Sequence, residues 1–447
     1  MKLVKADEQW LDTVPTDWLP SRIRNVARLS PDYSSGAPTP QELCTVVPME
    51  LLSDDGKLDT SLSIPFSDVD GGLTLFEVGD VLFAKITPCM ENGKGALVDA
   101  LTTRYAFGST EFHVLRPTHT VHPRFLYYYT FNPVYRAYAE KNMAGAAGQK
   151  RVPSRFLMDT RLFLPPLSEQ QRIAAYLDES CAAIDAAVAA KRRQIETLEG
   201  LKKDLIQKAV TRGLDEKRHL RRTNNSWLAE VPDEWELVSL KRISEIQTGL
   251  TLGKVYEGPL IERPYLRVAN VQDGHLNLDD VTTIEVPAEV AGRVELRAGD
   301  VLMTEGGDLD KLGRGTIWST EIADCLHQNH IFAIRCFRHK LLPAFLAYLT
   351  ASQYGRDYFE ATGKRTTNLA STNSTKVGLF PIPRPSVEEQ DEICSFLDDK
   401  LGEIGRISSG IKSQIDILTS YRKSLIHECV TGQRRITETA TSNMMLP

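Results

Sequence analysis

The chain has 447 residues, a length typical of proteins with two or three domains. Hydrophobic residues make up 42% and charged residues 25%, a composition typical of folded proteins. The net charge of −6 excludes neither a nucleic-acid ligand nor a protein partner, because positive charge can be concentrated on one surface. We expect no signal peptide and no membrane span, and the seven cysteines contain no C-x-x-C pair. These features predict a cytoplasmic protein without a disulfide framework or a zinc ribbon.

The sequence pattern of each half of the chain predicts a mixed α/β region. The predicted strands begin at Thr45, Asp80, Gly95 and Ser109 in the first half, and at Pro264, Asp300, Gly315 and His330 in the second. One aromatic-rich helix follows in each half, from Pro123 and from Pro343. The aromatic residues of these helices favour a hydrophobic core over a platform for stacking bases.

A long internal repeat dominates the sequence. LSEQQRIAAYLDESCAAI from Leu167 aligns without a gap on VEEQDEICSFLDDKLGEI from Val387, an offset of 387 − 167 = 220 residues. At the same offset, FEVGDVLFAK from Phe76 aligns on LRAGDVLMTE from Leu296. The chain is therefore a tandem duplication, in which a globular region of about 160 residues precedes a helical region of about 45.

The helical regions predict a coiled coil. Ser168 is placed to cap the first helix, and Gly200 is the one glycine between Ser168 and Thr211. Aliphatic residues recur every seven positions, as in a helix seam. The predicted seam residues are Leu177, Ile184, Leu198, Leu205, Leu397, Ile404, Ile411, Leu418 and Leu425. Each helix could pack on its own globular half, but two matched narrow stripes favour mutual, antiparallel packing with pseudo-twofold symmetry.

Catalytic motifs are absent from the sequence. There is no P-loop, dinucleotide-binding glycine pattern, G-x-S-x-G elbow or H-E-x-x-H motif. Asn132-Pro133-Val134-Tyr135 is similar to the N-P-P-Y motif of adenine methyltransferases but lacks the second proline, so we interpret it as a turn within or between helical segments. The pairs His119/His122 and His327/His330 have ligand-like spacing without a cysteine partner. We predict a non-catalytic chain with no metal site.

Basic, polar loops predict contacts with DNA in both halves. Residues 141–172 and residues 335–365 each contain six Lys or Arg against two Asp or Glu. Lys150-Arg151 and Lys364-Arg365 lie among Gly, Thr, Asn and Gln, a mixture that suits phosphates and base edges. Any one such loop could simply be solvated, but the recurrence favours DNA. The predicted DNA-binding residues are Lys85, Asn92, Lys94, Gln149, Lys150, Arg151, Lys311, Arg314, Lys364, Arg365 and Asn368.

The sequence resembles the specificity subunits of type I restriction–modification systems. PLSEQQRIAAYLDESCAAID from Pro166 is similar to the central conserved region of that family, and its repeat to the distal one. FGSTEFHVLRP from Phe107, MENGKGALV from Met90 and HQNHIFAIR from His327 resemble pieces of the family's target-recognition domains. The resemblance implies an α+β protein with two tandem mixed α/β target-recognition domains joined by two long helices in an antiparallel coiled coil. The expected boundaries are 1–165 and 215–385 for the recognition domains, 166–214 and 386–432 for the helical regions, and 433–447 for a flexible tail.

The same resemblance implies a function and a set of partners. Each target-recognition domain would read one half of a bipartite double-stranded DNA site, and the helices would set the spacer and dock two methyltransferase subunits. Two motor–nuclease subunits would join for restriction. S-adenosylmethionine, ATP and Mg²⁺ would belong to these partners, and the chain itself would bind no cofactor. The alternative is a coiled-coil scaffold whose two domains bind proteins, with an enzyme as the third choice.

Overall fold

The computed structural model describes residues 3–146, 148–307, 312–313, 315–365 and 370–436, without the side chains of Asp7 and Arg365. The chain forms two compact units. Unit 1 comprises Met1–Lys191 with Lys412–Pro447, and unit 2 comprises Arg192–Ile411. No helix in the described ranges is both long and apolar enough to cross a membrane.

Unit 1 contains short strands, short helices and the start of a long helix. The strands are β1 (Leu3–Glu8), β2 (Leu11–Pro15), β3 (Leu19–Arg22), β4 (Ala27–Leu29), β5 (Leu43–Val47), β6 (Ser63–Pro65), β7 (Thr74–Phe76), β8 (Val81–Ala84), β9 (Gly95–Leu97), β10 (Ala106–Gly108), β11 (Phe112–Pro117), β12 (Ala144–Ala146), β13 (Gln149–Arg151) and β14 (Arg161–Leu164). The helices are α1 (Ile23–Val26), α2 (Pro123–Phe131), α3 (Pro133–Lys141), α4 (Ser154–Asp159) and α5 (Leu167–Arg212).

Unit 2 contains a similar, though not identical, order of strands and helices. The strands are β15 (Leu220–Asn225), β16 (Leu228–Pro232), β17 (Glu236–Ser239), β18 (Ser244–Thr248), β19 (Ile261–Leu266), β20 (Thr282–Val286), β21 (Val301–Thr304), β22 (Gly306–Gly307), β23 (Gly315–Ile317), β24 (Leu326–His327), β25 (Ile331–Cys336), β26 (Lys364–Arg365), β27 (Ala370–Ser371) and β28 (Pro381–Arg384). The helices are α6 (Ala288–Val294), α7 (Pro343–Ala351), α8 (Gln353–Thr362), α9 (Ser374–Leu379) and α10 (Val387–Val430).

The two units share one four-stranded sheet design. The strand order is β4-β11-β8-β9 in unit 1 and β18-β25-β21-β23 in unit 2. In unit 1 Ala84 lies opposite Phe112, and in unit 2 Thr304 lies opposite Ile331, so the central strand pairs have the same register. The predicted mixed α/β architecture with a tandem repeat is confirmed. The repeat therefore extends from the helices to the residue pairs of the sheet.

A buried ion pair fixes the start of the central strand in each unit. Arg116 donates two hydrogen bonds to the carboxylate of Asp80, at 2.8 and 2.7 Å. Arg335 binds Asp300 in the same way, at 2.9 and 2.7 Å. Both carboxylates are 1% exposed, so each depends on its arginine for compensation of its charge.

The aromatic-rich segment forms two helices in each unit, not the single helix that the sequence predicted. Between α2 and α3 the side chain of Asn132 accepts a hydrogen bond from the Val134 N–H, at 3.0 Å, and so caps α3. Ser352 caps α8 in the same way by accepting from Gly355. The resemblance of this segment to a methyltransferase motif is thus explained by a helix cap, and all aromatic side chains of α2 except the partly buried Phe131 are buried in the core.

The two long helices pack antiparallel within unit 1. Arg422 of α10 forms an ion pair with Asp185 of α5 at 3.0 Å, and Gln414 accepts from Lys191 at 2.5 Å. From Asp185 to Lys191 the residue number on α5 rises, whereas the number of the contacted residue on α10 falls. The two helices therefore run in opposite directions. The predicted antiparallel association of the helices is therefore confirmed, although each helix also packs on the globular part of its own unit.

The predicted seam residues differ in burial along the helices. Those in the two cores or next to them are Leu177, Ile184, Leu418 and Leu425 in unit 1, and Leu205, Leu397 and Ile404 in unit 2. Leu198 and Ile411 are half-buried. The seam is thus most closely packed where the helices also contact a globular region.

A buried glutamine joins each long helix to its unit. In unit 1 the Gln170 amide accepts from the His122 N–H at 2.8 Å and donates to the carbonyl oxygens of Pro165 and Thr120. In unit 2 Gln390 bonds in the same way to Leu342, Pro385 and Lys340. The first turn of each helix is therefore tied to both the preceding strand and the loop before the aromatic helices.

The helix bounds correct two details of the sequence prediction. Helix α5 begins at Leu167, and the carbonyl oxygen of Pro166 accepts from the Glu169 and Gln170 N–H groups, so Ser168 is not the cap. In α10 the side chain of Ser386 accepts from the Glu389 N–H at 3.1 Å. The cap thus lies at position 386 in α10, which aligns with Pro166 in the repeat.

An arginine after each long helix binds the first turn of the other. The chain turns at Gly432, with φ of +74°, and Arg435 then pairs with Glu169 and Asp17 at 2.9 and 2.8 Å. In unit 2 Arg218, which follows α5, pairs with Glu389. Since Ile436 is also buried, the expected flexible tail does not begin at residue 433; residues 437–447 lie outside the described part of the chain.

The glutamine contacts predict a large difference between two neighbouring positions. Replacing Gln170 with Ala leaves the His122 N–H and two carbonyl oxygens without their partner, which should lower the free energy of unfolding by about 2–4 kcal/mol. Gln171→Ala, at an exposed position of the same turn, should change it by less than about 0.5 kcal/mol. Urea unfolding of both variants measures the difference. Equal stabilities would show that the amide does not hold the helix.

Candidate nucleic-acid interface

Three backbone segments of unit 1 meet beside the central strands. The Lys85 N–H donates to the Glu111 carbonyl oxygen at 2.9 Å, and the Val152 N–H donates to the Lys85 carbonyl oxygen at 2.8 Å. The Thr87 N–H donates to the Lys150 carbonyl oxygen at 3.0 Å. The end of β8, the start of β11 and the hairpin strand β13 are thereby held together, and we call this meeting point the junction of unit 1. Lys85 and Arg151 lie in one neighbourhood there.

The charges of this neighbourhood are partly paired. The Arg151 guanidinium donates from Nε and from a terminal nitrogen to the Glu111 carboxylate, with the shortest contact at 2.7 Å. The bond from Arg151 lowers the pKa of Glu111 below its ordinary value, more than burial raises it. Lys150 and Gln149 are exposed on the same strand. Lys150 is therefore an exposed cation, whereas Arg151 is oriented by a carboxylate.

The loop from Met90 to Gly95 carries two further predicted residues with different environments. Asn92 is exposed. Lys94 is half-buried and its ammonium donates to the Met49 carbonyl oxygen at 3.0 Å. Lys94 thus binds the fold itself in this structure, and of the two only Asn92 is freely presented to a ligand.

A buried arginine that the sequence did not reveal supports this loop. The Arg136 guanidinium donates to the carbonyl oxygens of Met90, Lys94 and Thr130. It lies 4.7 Å from the ring centre of Phe83 and 4.8 Å from that of Phe131. Burial lowers the pKa of Arg136 to about 10. Its position on the aromatic helix α3 gave no sign that it would turn inward to a loop distant in sequence.

Unit 2 builds the same junction from different side chains. The Glu305 N–H donates to the His330 carbonyl oxygen at 2.8 Å, and the Thr372 N–H donates to the Glu305 carbonyl oxygen at 2.7 Å. His330 Nδ1–H donates to the Glu305 carboxylate. Glu111, Glu305 and His330 were not among the predicted DNA-binding residues, although each lies within a predicted strand and one position outside the strand that the structure shows.

The hairpin registers place the two basic pairs on different strands. In unit 1 Arg151 lies opposite Ala144, and in unit 2 Ser371 lies opposite Lys364. Lys150-Arg151 therefore occupies the second hairpin strand, whereas Lys364-Arg365 occupies the first. Lys364 is exposed. Lys311, Arg314 and Asn368 lie outside the described residues, as does the side chain of Arg365.

The side chain of His327, from the second predicted histidine pair, forms its hydrogen bonds within the core. His327 is buried, its Nδ1 bonds to the Ile331 carbonyl oxygen at 2.9 Å, and its Nε2 lies 3.2 Å from the Gln247 amide nitrogen. Burial lowers the pKa of His327 to about 4. Among the residues that the structure describes, no three His, Cys, Asp or Glu side chains are grouped to hold a metal ion. His327 belongs to the core, and the junction offers hydrogen bonds and charges.

Known proteins with similar sequences share one function class. A family model of the type I restriction modification DNA specificity domain matches residues 71–197. The specificity subunit of the type I restriction enzyme EcoAI from Escherichia coli is 24% identical over 91% of this chain and 81% of that protein. The EcoKI specificity subunit from Escherichia coli strain K12 is 23% identical over 72% of this chain and 67% of that protein.

Solved structures share the fold. A chain from a study of complex assembly and conformational transition of the type I R-M system has a TM-score of 0.73 at 19% identity, covering 94% of this chain and 99% of its own length. The HsdS subunit from Thermoanaerobacter tengcongensis has a TM-score of 0.56 at 18% identity, covering 94% and 98%. Together with the duplicated sheet, these similarities show that the chain shares the fold of these two solved structures.

Proposed function

We propose that the chain reads a bipartite DNA site, with one half-site bound by the junction of unit 1 and the other by the junction of unit 2. One observation carries the proposal: the same backbone junction occurs in both units with different side chains. Because the chain is similar to a type I specificity subunit over most of its length, we propose that it acts as such a subunit and is not itself an enzyme. A scaffold that binds only proteins has no specific observation in its favour.

The proposal includes partners that supply the chemistry. Two methyltransferase subunits would dock on the long helices, and two motor–nuclease subunits would join them for restriction. S-adenosylmethionine, ATP and Mg²⁺ would bind to those subunits, whereas this chain contributes base contacts and phosphate contacts. We propose that the complex works in the cytoplasm, where the host DNA is.

The long helices would fix the number of base pairs between the half-sites. Helix α5 has 46 residues and α10 has 44. At 1.5 Å per residue, each helix is about 70 Å long. A rigid element of this length can set a spacing on DNA, since a base pair rises about 3.4 Å.

The exposed cation Lys150 gives the first test of DNA binding. Lys150→Ala should weaken binding by the complex with its methyltransferase partner, because one phosphate contact is lost. The slope of log K against log salt concentration should become shallower by about 0.9, and the preferred sequence should not change. Gel shifts across a salt series measure the affinity and its salt dependence.

Lys5→Ala is the matched control for this test, because Lys5 is exposed on β1, outside the junction. It should leave the slope unchanged. Selection of sequences from a random DNA library by the wild-type complex tests the function as a whole. A wild-type complex that selects no sequence would refute the proposal, and an unchanged slope for Lys150→Ala would remove only this residue from the interface.

The helices give a second test, in which both are lengthened together. Repeating the heptad 193–199 after Glu199 and the heptad 401–407 after Ile407 keeps the seven-residue phase in both helices. The extension of about 10 Å should lengthen the preferred spacer by about three base pairs, with both half-sites unchanged. Mapping of methylated adenines in cells that carry the complex measures the spacer.

Lengthening α5 alone provides the control, because the paired seam residues then no longer face each other. That variant should lose binding. If the doubly lengthened chain methylates sites with the original spacer at full rate, the partner subunits set the distance and the helices do not.

A further inference from the structure

Three positions in each unit are held by the same hydrogen bonds but carry different chemistry. Position one follows the central strand, as Lys85 or Glu305. Position two precedes the neighbouring strand, as Glu111 or His330. Position three lies in the second hairpin strand, as Arg151 or Ser371. We name these three positions the junction triad.

The backbone geometry shows that the two triads are equivalent. Position one donates its N–H to the carbonyl oxygen of position two in both units, at 2.9 and 2.8 Å. The carbonyl oxygen of position one accepts a hydrogen bond from the N–H of the residue after position three in both units, at 2.8 and 2.7 Å. Position three lies opposite Ile86 in unit 1 and opposite Gly306 in unit 2, each the residue after position one.

Folding places little demand on the side chains of the triad. All three equivalences are backbone hydrogen bonds, which any residue other than proline can make. The Arg151 and Glu111 side chains are 43% and 22% exposed, and those of His330 and Glu305 are 53% and 28% exposed. Ion pairs as exposed as these contribute little to stability. The side chains can therefore differ between units without a large cost to the fold.

We infer that the junction triads are the specificity-determining positions of the two units and read base pairs of opposite hydrogen-bonding character. This inference rests on the proposed function. In unit 1 Glu111 orients the guanidinium of Arg151 beside Lys85, and the triad carries a net charge of +1. Such a set of donors suits the acceptors O6 and N7 of guanine, which arginine binds with two hydrogen bonds.

The triad of unit 2 presents the complementary chemistry. Glu305 supplies acceptor oxygens and is held by His330, and Ser371 takes the place of the arginine. With the imidazole neutral, the net charge is −1. A carboxylate of this kind suits the exocyclic amino group of cytosine or adenine, which donates hydrogen bonds in the major groove.

Exchange of the triads tests the inference. Lys85→Glu, Glu111→His and Arg151→Ser together give unit 1 the triad of unit 2. The complex with its methyltransferase partner should then change its preference at one or two base pairs of one half-site, from guanine toward cytosine or adenine. The other half-site and the spacer should remain as in the wild type. Selection from a random DNA library measures all three.

The reciprocal exchange, Glu305→Lys with His330→Glu and Ser371→Arg, should alter only the other half-site. A conservative variant, Arg151→Lys, keeps the charge but loses the paired geometry, and should reduce discrimination at one base pair by about tenfold to hundredfold. Thermal unfolding should remain near that of the wild type in each case, which separates a change of reading from a loss of fold.

The outcomes separate this inference from the proposed function. Unchanged half-sites in a folded, DNA-binding exchange variant would overturn the assignment of the triads while leaving the DNA-reading function intact. Failure of an exchange variant to fold would leave Arg151→Lys to decide, and full discrimination by that variant would again overturn the assignment. A wild-type complex without sequence preference would instead refute the proposed function itself.

Discussion

The buried amide at the start of each long helix is the contact on which the arrangement within each unit depends. Gln170 and Gln390 each satisfy an N–H and two carbonyl oxygens that belong to separate segments. A buried amide without partners is costly, so the helix cannot rotate about its axis or slide without losing all these bonds at once. The direction of the helix is thereby fixed relative to the sheet of its unit.

A second constraint lets the rest of each sheet vary. The pairs Asp80–Arg116 and Asp300–Arg335 hold the start of the central strand, and the register of the strand pair follows from them. The far end of that strand needs only backbone hydrogen bonds. Residues at that end can therefore change in one copy of a duplication while the other copy stays as it was.

The sequence predicted the features that depend on short-range patterns. The offset of 220 residues located the repeated helices, and the heptads in α5 and α10 predicted that the helices associate. The aromatic segments were assigned to the core, where α2 places them, and a turn was interpreted at Asn132, but the side-chain cap that Asn132 gives to α3 was not recognised. That side-chain bond acts over two residues and leaves the hydrophobic periodicity on either side unchanged.

The features that the sequence did not predict depend on contacts between distant segments. Arg136 turns inward because carbonyl groups 42 and 46 residues away need donors, and no local pattern records this. The two Lys-Arg pairs look equivalent in sequence, but strand register places them on opposite strands of the hairpin. Glu111 meets Arg151 from 40 residues away. Composition could mark the region as polar and basic, but the pairing of strands decides which charges meet.

The energetics of the two regions explain how one chain can be both rigid and adaptable. The buried amides and the carboxylates of Asp80 and Asp300 carry large penalties if their partners are lost, so they fix the fold. The exposed pairs of the junction triads contribute little to stability, so their loss should leave the fold intact. The base contacts that we propose for the same side chains would discriminate by about 1–3 kcal/mol. Substitutions at the triads should therefore change recognition more than stability, which is the property that a reader of varied DNA sites requires.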